Sequence, residues 1–377
     1  MDGLIGGLAE QLSKIGDKRM NMLVGIDGFV DEIIQVVDTR QDHKNYIPMR
    51  KIEDFGKRVM RAAGLSTNME FVTTQFKLGG NGPIFSNALI EYGADLSYFG
   101  CLGVPEVHPV FRRMSDRCRR VYSICGPGYS DALEFDDGKL IFGKHSTLKE
   151  ITWERVKEIF GGLTSFAAEV SACDVFGMEN WTMIPHMSEI WKGIIREVFP
   201  VLPKKSVKPI VFFDLADPEK RTVKDILEAL LLISTFEQKF RVILGLNEKE
   251  LFEIAGVLDV APDGAADRLV MMKSVISEVY EKLNISCLVV HPVKEAMACV
   301  NGDFYYTDGP YCEAPVLTTG AGDNFNAGFV FGQALGLDPH SSLLLGVATS
   351  GFYVRNARSP QINEQIAFLK KWEQNAL

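Results

Sequence analysis

Short, unbroken apolar runs recur along the chain, and longer stretches of helical periodicity separate them. Met22–Ile26, Leu96–Phe99, Val175–Met178, Ile210–Asp214, Val242–Leu246 and Leu288–His291 are brief and apolar on both faces. That pattern predicts strands covered from above and below. Between and after them, helical spacing runs over 83–92, 183–198, 224–236, 248–256 and 265–283, then over 323–335, 340–355 and 361–374. Residues 2–16 predict an amphipathic helix ahead of the first strand. Short strands alternating with helices of this length predict an α/β fold, a doubly wound and mostly parallel sheet with helices on both faces. No Pro-, Gly- or Ser-rich linker and no internal repeat divides residues 1–377, so a single domain is expected.

One region breaks the rhythm. From Val121 to Gly143 the residues alternate, with turn chemistry at Gly126-Pro127-Gly128 and Asp136-Asp137-Gly138. This predicts a β-hairpin from Ala132–Phe135 and Leu140–Gly143. The stretch after Asp31, Glu32–Val37 and then Tyr46–Met49, also reads as extended.

The densest chemistry lies near the C-terminal end, in Thr318-Thr319-Gly320-Ala321-Gly322-Asp323-Asn324-Phe325-Asn326. Small residues open an amphipathic segment that Gly336 closes. A helix start leaves amide hydrogens unpaired and carries partial positive charge, which favours a phosphoryl group. The dipole also favours the charged form of Asp323. Read alone, this is equally a Gly-containing loop with Asp323 as an ordinary helix cap.

Three further words have a structural and a functional reading. Gly79-Gly80-Asn81-Gly82-Pro83 is a tight turn into a helix punctuated by Pro83 and Gly93. Asn247-Glu248-Lys249-Glu250 has the form of a capping box. Asp27-Gly28 and Asp31 suit a turn and a cap or solvated face.

Taken together, these words resemble the active-site signature of the PfkB/ribokinase-like family of carbohydrate and nucleoside kinases. Its usual form, Asp-Thr-x-Gly-Ala-Gly-Asp, is matched at every fixed position but the first, where Leu317 stands. The resemblance spans roughly residues 20–360. It implies a small β-sheet lid, from segments 31–50 and 121–146, over a sugar site. It implies ATP and Mg²⁺, with a monovalent cation as a further candidate. By the same resemblance Asp323 is the general base, and Gly320, Ala321 and Gly322 form the anion hole. Thr318, Thr319, Asn247 and Glu250 belong to the nucleotide side, with Glu250 reaching Mg²⁺ through water. Asp27, Asp31, Gly79, Gly80 and Asn81 would orient a small, sugar-like acceptor, and the lid offers a homodimer contact. Asp214, with Pro218 and Arg221 after it, resembles a strand-end word near the phosphates. His291-Pro292 stands where the family usually has glycines near the nucleotide.

Composition narrows the function classes. A chain of 377 residues that is 46% hydrophobic can bury a large core. Its formal net charge of −9 excludes the basic footprint of a general nucleic-acid binder. Seven scattered cysteines with no C-x-x-C pair read as reduced thiols of a cytoplasmic protein. The start lacks a basic segment followed by an apolar run, so no signal peptide is expected. The apolar runs are too short to span a bilayer. Gly320-x-Gly322 lacks the third glycine of a dinucleotide fingerprint, and no G-x-x-x-x-G-K-[ST] exists. The expectation is a sugar kinase, with a sugar phosphate or nucleoside as other acceptors. A non-catalytic sugar- or nucleotide-binding regulator on the same fold is the rival. The run Arg112, Arg113, Arg117, Arg119 and Arg120 reads first as a solvated helix face, and otherwise as a phosphate contact.

Overall fold

The computed structural model describes residues 3–15, 19–262, 264 and 267–377. Its strands are β1 Asn21–Ile26, β2 Phe29–Arg40, β3 Tyr46–Pro48, β4 Phe71–Gly79, β5 Asp95–Gly100, β6 Arg120–Ser123, β7 Gly128–Phe135, β8 Gly138–Lys144, β9 Val175–Met178, β10 Ile210–Asp214, β11 Arg241–Leu246, β12 Cys287–Val290, β13 Glu295–Val300 and β14 Asp303–Asp308. A nine-stranded sheet runs in the order β14-β13-β12-β11-β10-β9-β1-β5-β6, parallel except at β13 and β14. Alternate residues of its strands feed two cores. Val211 and Phe213 point into one, while Ile210 and Phe212 point into the other. Helices cover both faces, as apolar runs without polar alternation require.

The second core holds the helices that matter for the site: Asn81–Glu91, Ala321–Leu335 and Pro339–Asn356. Gly328 and Gly346 set how closely the last two pack. A Cβ on Gly328 would lie 2.3 Å from Thr349 Oγ1, and one on Gly346 would lie 2.7 Å from Phe325.

The smaller sheet joins β3, β2, β7 and β8, with β4 also paired to β2. The expected hairpin is there as β7 and β8, antiparallel with Leu133 opposite Leu140. Residues 120–123 differ from expectation. They pair in parallel with β5 and extend the large sheet. Strand β4 is the extended segment expected before Gly79-Gly80, and the sequence set no bounds for it because most of its residues are exposed on both faces and leave no periodic signal. The β13–β14 hairpin was also missed, although Asn301-Gly302, both at positive φ, is a strong turn signal.

The helices fall close to their expected ranges, with one shift. The segment 183–198 becomes Met187–Gly193 followed by a π-type turn over Ile194–Val198. Its first residues turn instead, held where the Met183 amide donates to Asn180 Oδ1 at 3.3 Å. Residues 2, 16, 265 and 266, at the ends of two expected helices, lie outside the described residues. No described helix is long and apolar enough to cross a membrane.

Candidate active site

Five neighbouring parallel strands end on one line. In sheet order β12, β11, β10, β9 and β1 finish at or just before His291, Asn247, Asp214, Glu179 and Asp27. In an open α/β sheet, the carboxyl ends of the strands are where a crevice forms. The loop before helix Ala321–Leu335 runs past this row and divides two cavities. Thr318 lines one of about 400 Å³, while Thr319 lines another of about 360 Å³.

The second cavity gathers three of the five residues expected to hold the acceptor, and Asp27 and Gly79 do not line it. Asp31, Gly80 and Asn81 line it with Ser130 and Asn180. Asp27 is fully buried behind them. Its carboxylate accepts from the amides of Asn81 at 3.0 Å and Gly82 at 2.9 Å, and from Asn180 Nδ2 at 2.7 Å. Asp27 therefore caps the helix Asn81–Glu91 from the end of β1, and of the two aspartates it is Asp31 that lines the cavity. Burial pushes the Asp27 carboxyl up to about 6, although the hydrogen bonds from Asn180, Gly82 and Asn81 oppose the rise.

The glycines here are required by close approach. A Cβ on Gly79 would lie 2.4 Å from Asp31 Oδ2. One on Gly80, at φ 97°, would lie 2.9 Å from Asp27 Oδ2. Asn180, at φ 63°, ties the cavity wall to Asp27, and the sequence reading missed it. Only the position after a buried strand could have pointed to it.

The first cavity is lined by Asn247, His291, Thr318, Ala321 and Gly322. Helix Ala321–Leu335 begins at Ala321, with Gly320 at φ 89° as its cap, so Asp323 sits inside the first turn. The anion hole expected from three amides is narrower. The Ala321 amide donates to Thr318 O at 3.0 Å, which closes the turn. The amides of Gly320 and Gly322 have no hydrogen-bond partner among the described residues. The Tyr353 hydroxyl fixes the loop by donating to Thr319 O at 2.9 Å.

Asn247 and Glu250 form the capping box. Asn247 Oδ1 accepts from the Glu250 amide at 2.9 Å, and Glu250 Oε2 accepts from the Asn247 amide at 2.9 Å. Glu250 Oε1 also accepts from the Asp217 amide at 2.9 Å. Asp217 and Ala216 both hold positive φ, at 60° and 58°, so this loop is strained where it meets Glu250. Each Glu250 oxygen keeps a further lone pair. Burial raises the Glu250 carboxyl, while the two amides oppose the rise.

Several buried carboxylates at the strand ends lie close enough to raise one another's pKa. Asp323 is 9% exposed. Burial first, then the Asp27 charge, pushes it up to about 8, against a hydrogen bond from Asn81. Glu179 is fully buried with no hydrogen bond to either oxygen among the described residues, so burial and the neighbouring Asp214 hold it well above the usual carboxylate range. Asp214 Oδ2 accepts from Asn326 Nδ2 at 3.1 Å, and its Oδ1 makes no close hydrogen bond among the described residues. Sequence reasoning overlooked Glu179, whose apolar strand hides it. An oxygen-rich floor with orphaned carboxylate atoms suits a hard cation such as Mg²⁺. Among the described residues no three acidic, thiol or imidazole groups converge into a protein cage.

Two sequence words turn out to be structural. Arg221 reaches the carbonyls of Trp181, Thr182 and Ile184 and lies 4.9 Å over the Trp181 ring. Arg117 pairs with Glu91, while Arg119 and Arg120 pair with Glu169. Much of the basic run is thus neutralised within the fold.

Comparison with known proteins points one way. A family model for prokaryotic ketohexokinase matches residues 9–372. A ketohexokinase of Haloferax volcanii is 26% identical over 349 residues, covering 92% of this chain and 90% of its own. A probable sugar kinase of Rhizobium etli CFN 42 superposes with a TM-score of 0.63 at 16% identity, covering 96% of this chain and 100% of its own. The ribokinase of Arabidopsis thaliana, solved with ribose and ATP, gives a TM-score of 0.62 at 16% identity, over 93% of this chain and 99% of its own. At these identities the structural likeness speaks for the fold.

Proposed function

Because the chain belongs to the prokaryotic ketohexokinase family, and so is a carbohydrate kinase of the ribokinase-like group, we propose that it transfers the γ-phosphoryl group of ATP to a hydroxyl of a ketohexose. The observation that carries this reading is the loop between the cavities. Thr318 borders one and Thr319 the other, with the first turn of a helix and Asp323 immediately behind.

The acceptor sugar sits in the cavity of Asp31, Asn81, Ser130 and Asn180, whose polar groups match its hydroxyls. The nucleotide sits in the cavity of Asn247, Thr318 and Gly322. Asp323 takes the proton of the attacking hydroxyl, a task for which a pKa near neutrality is suited. The Gly320 and Gly322 amides face the charge that develops on the transferred group. The Asn247–Glu250 cap holds the Glu250 carboxylate toward the metal side. Mg²⁺, when bound, neutralises phosphoryl charge and favours the ionised form of Asp323.

A second reading, a sugar phosphate as acceptor, is favoured by Lys77, Lys139 and Lys220 on the wall of the acceptor cavity. One experiment separates the two: ADP release with ATP and Mg²⁺ across ketohexoses, aldoses, their phosphates and sugar acids. Turnover with a neutral ketohexose supports the first reading, and turnover confined to phosphates supports the second. Sugar binding without ADP release in any case would instead favour a non-catalytic regulator.

A further inference from the structure

His291, like Glu179 and Asp214, is a member of the strand-end row that the proposed chemistry leaves without a task. Its backbone is fixed, because its amide donates to Leu246 O at 3.0 Å and prolongs the β11–β12 pairing by one residue. Pro292 then restricts the conformation of His291 itself. The imidazole packs on Phe325, with ring centroids 5.0 Å apart and planes at 38°.

The tip of the ring is pressed against the helix start. His291 Cε1 lies 2.9 Å from the position a Cβ would take on Gly322, with Nε2 at 3.6 Å and Nδ1 at 3.7 Å. Both nitrogens thus flank the turn that holds the unpaired Gly322 amide, and the ring lines the same cavity as Asn247, Thr318 and Gly322. Neither nitrogen meets a hydrogen-bond partner on another of the described residues, and the ring's one such contact is with its own backbone. A polar ring fixed by its backbone and by stacking, with a nitrogen left for a partner from outside, is prepared for something that enters the cavity.

We infer that His291 is a positioning and affinity-determining contact of the phosphoryl-donor site, its ring N–H donating to a phosphate oxygen of the nucleotide beside the Gly322 amide. This rests on reading the cavity as the nucleotide site. Burial lowers the imidazole to about 4, so the ring is neutral at physiological pH. A neutral imidazole offers one donor and one acceptor. It adds directionality to the anion site without adding a full charge that would retain product. Gly322 is then small for two reasons, the approach of phosphate and the room taken by this ring.

The test is calorimetric binding of ADP to the whole protein, with the sugar KM and melting temperature measured alongside. The variants are His291→Ala and His291→Asn, the second retaining an N–H donor. Loss of one hydrogen bond to a charged oxygen should weaken ADP binding by about 10–100-fold in His291→Ala. His291→Asn should recover most of that loss, and neither variant should move the sugar KM or the melting temperature. ADP affinity of wild-type strength in His291→Ala overturns the inference. Equal losses in both variants, with a lowered melting temperature, also overturn it and leave only a packing role against Phe325. If the wild-type protein itself binds no ADP, the nucleotide reading of the cavity fails, and the inference fails with it.

Discussion

Asp27 Oδ2 accepts the amide hydrogen of Asn81 at 3.0 Å, so the first strand of the large sheet holds the start of the helix that borders the acceptor cavity. Fold stability and acceptor geometry therefore share one carboxylate. Asp27→Ala leaves two amides and the Asn180 side chain without their acceptor in a fully buried place. A buried unsatisfied donor costs about 1–3 kcal/mol, and the loss here should reach at least that range in denaturant melts. The sugar KM should rise in the same variant, measured where it remains folded.

Asp323→Asn preserves size and removes the proposed proton acceptor. A positioned general base contributes about 10²–10⁴-fold, so single-turnover phosphorylation under saturating substrates should slow by that order. Sugar and nucleotide affinities should change far less. A near-normal chemical step would remove Asp323 from the role of base.

The same residue carries a pH signature of opposite sign for stability and activity. Its folded pKa is raised from 3.8 to about 8. The folded state therefore binds that proton more tightly than the unfolded chain. The stability it contributes is complete below the unfolded value and is lost as pH rises through about 8. The wild-type melting temperature should fall relative to Asp323→Asn as pH is raised across this window. Activity, which needs the ionised form, should rise over it, with the limb shifted to lower pH by saturating Mg²⁺. A constant melting difference from acid to alkali would contradict the assigned shift.

Glu250→Gln tests the metal side and the cap together. Glu250 accepts two amides, one on each oxygen. Gln can accept on one side only and places an NH₂ group against the other amide. A cost of about 1–3 kcal/mol follows. The Mg²⁺ concentration for half-maximal activity should also rise. Lost stability with unchanged Mg²⁺ dependence would leave Glu250 as a cap alone.

Gly322→Ala should weaken nucleotide binding, since the added methyl meets the His291 ring. Residues in contact couple, so the double variant Gly322→Ala/His291→Gly should not show additive losses. Calorimetry on the four proteins of the cycle reads the coupling directly. Full additivity would mean that the ring and the turn do not share the site.

How far the site could be read in advance depended on where its side chains sit. Asp323, Asn247 and Glu250 lie in polar loop-to-helix words that interrupt the apolar pattern, so the sequence exposes them. Glu179 and Asn180 directly follow a buried strand, and nothing local separates them from an ordinary strand end. Their meaning comes from β1 and β10 lying alongside. Asp27 and Asp31 were both visible, but assigning one as cap and the other as cavity wall required the distance from Asp27 to a helix reached only after β4. The amide of Ala321 shows the same limit. Three small residues suggest three free donors, and only the turn geometry reveals that one is used internally.

The row from Asp27 to His291 also acts as a ruler. Neighbouring strands lie about 4.7–4.9 Å apart, so five strand ends span roughly 19 Å from first to last. The separation between acceptor grip and donor grip is thereby set by backbone hydrogen bonding, the least mutable dimension in the molecule. Side chains lining the cavities beside either end can be exchanged to suit a different sugar or a different nucleotide without altering the span between them. New specificities can arise at one end while the length of the reaction path stays fixed.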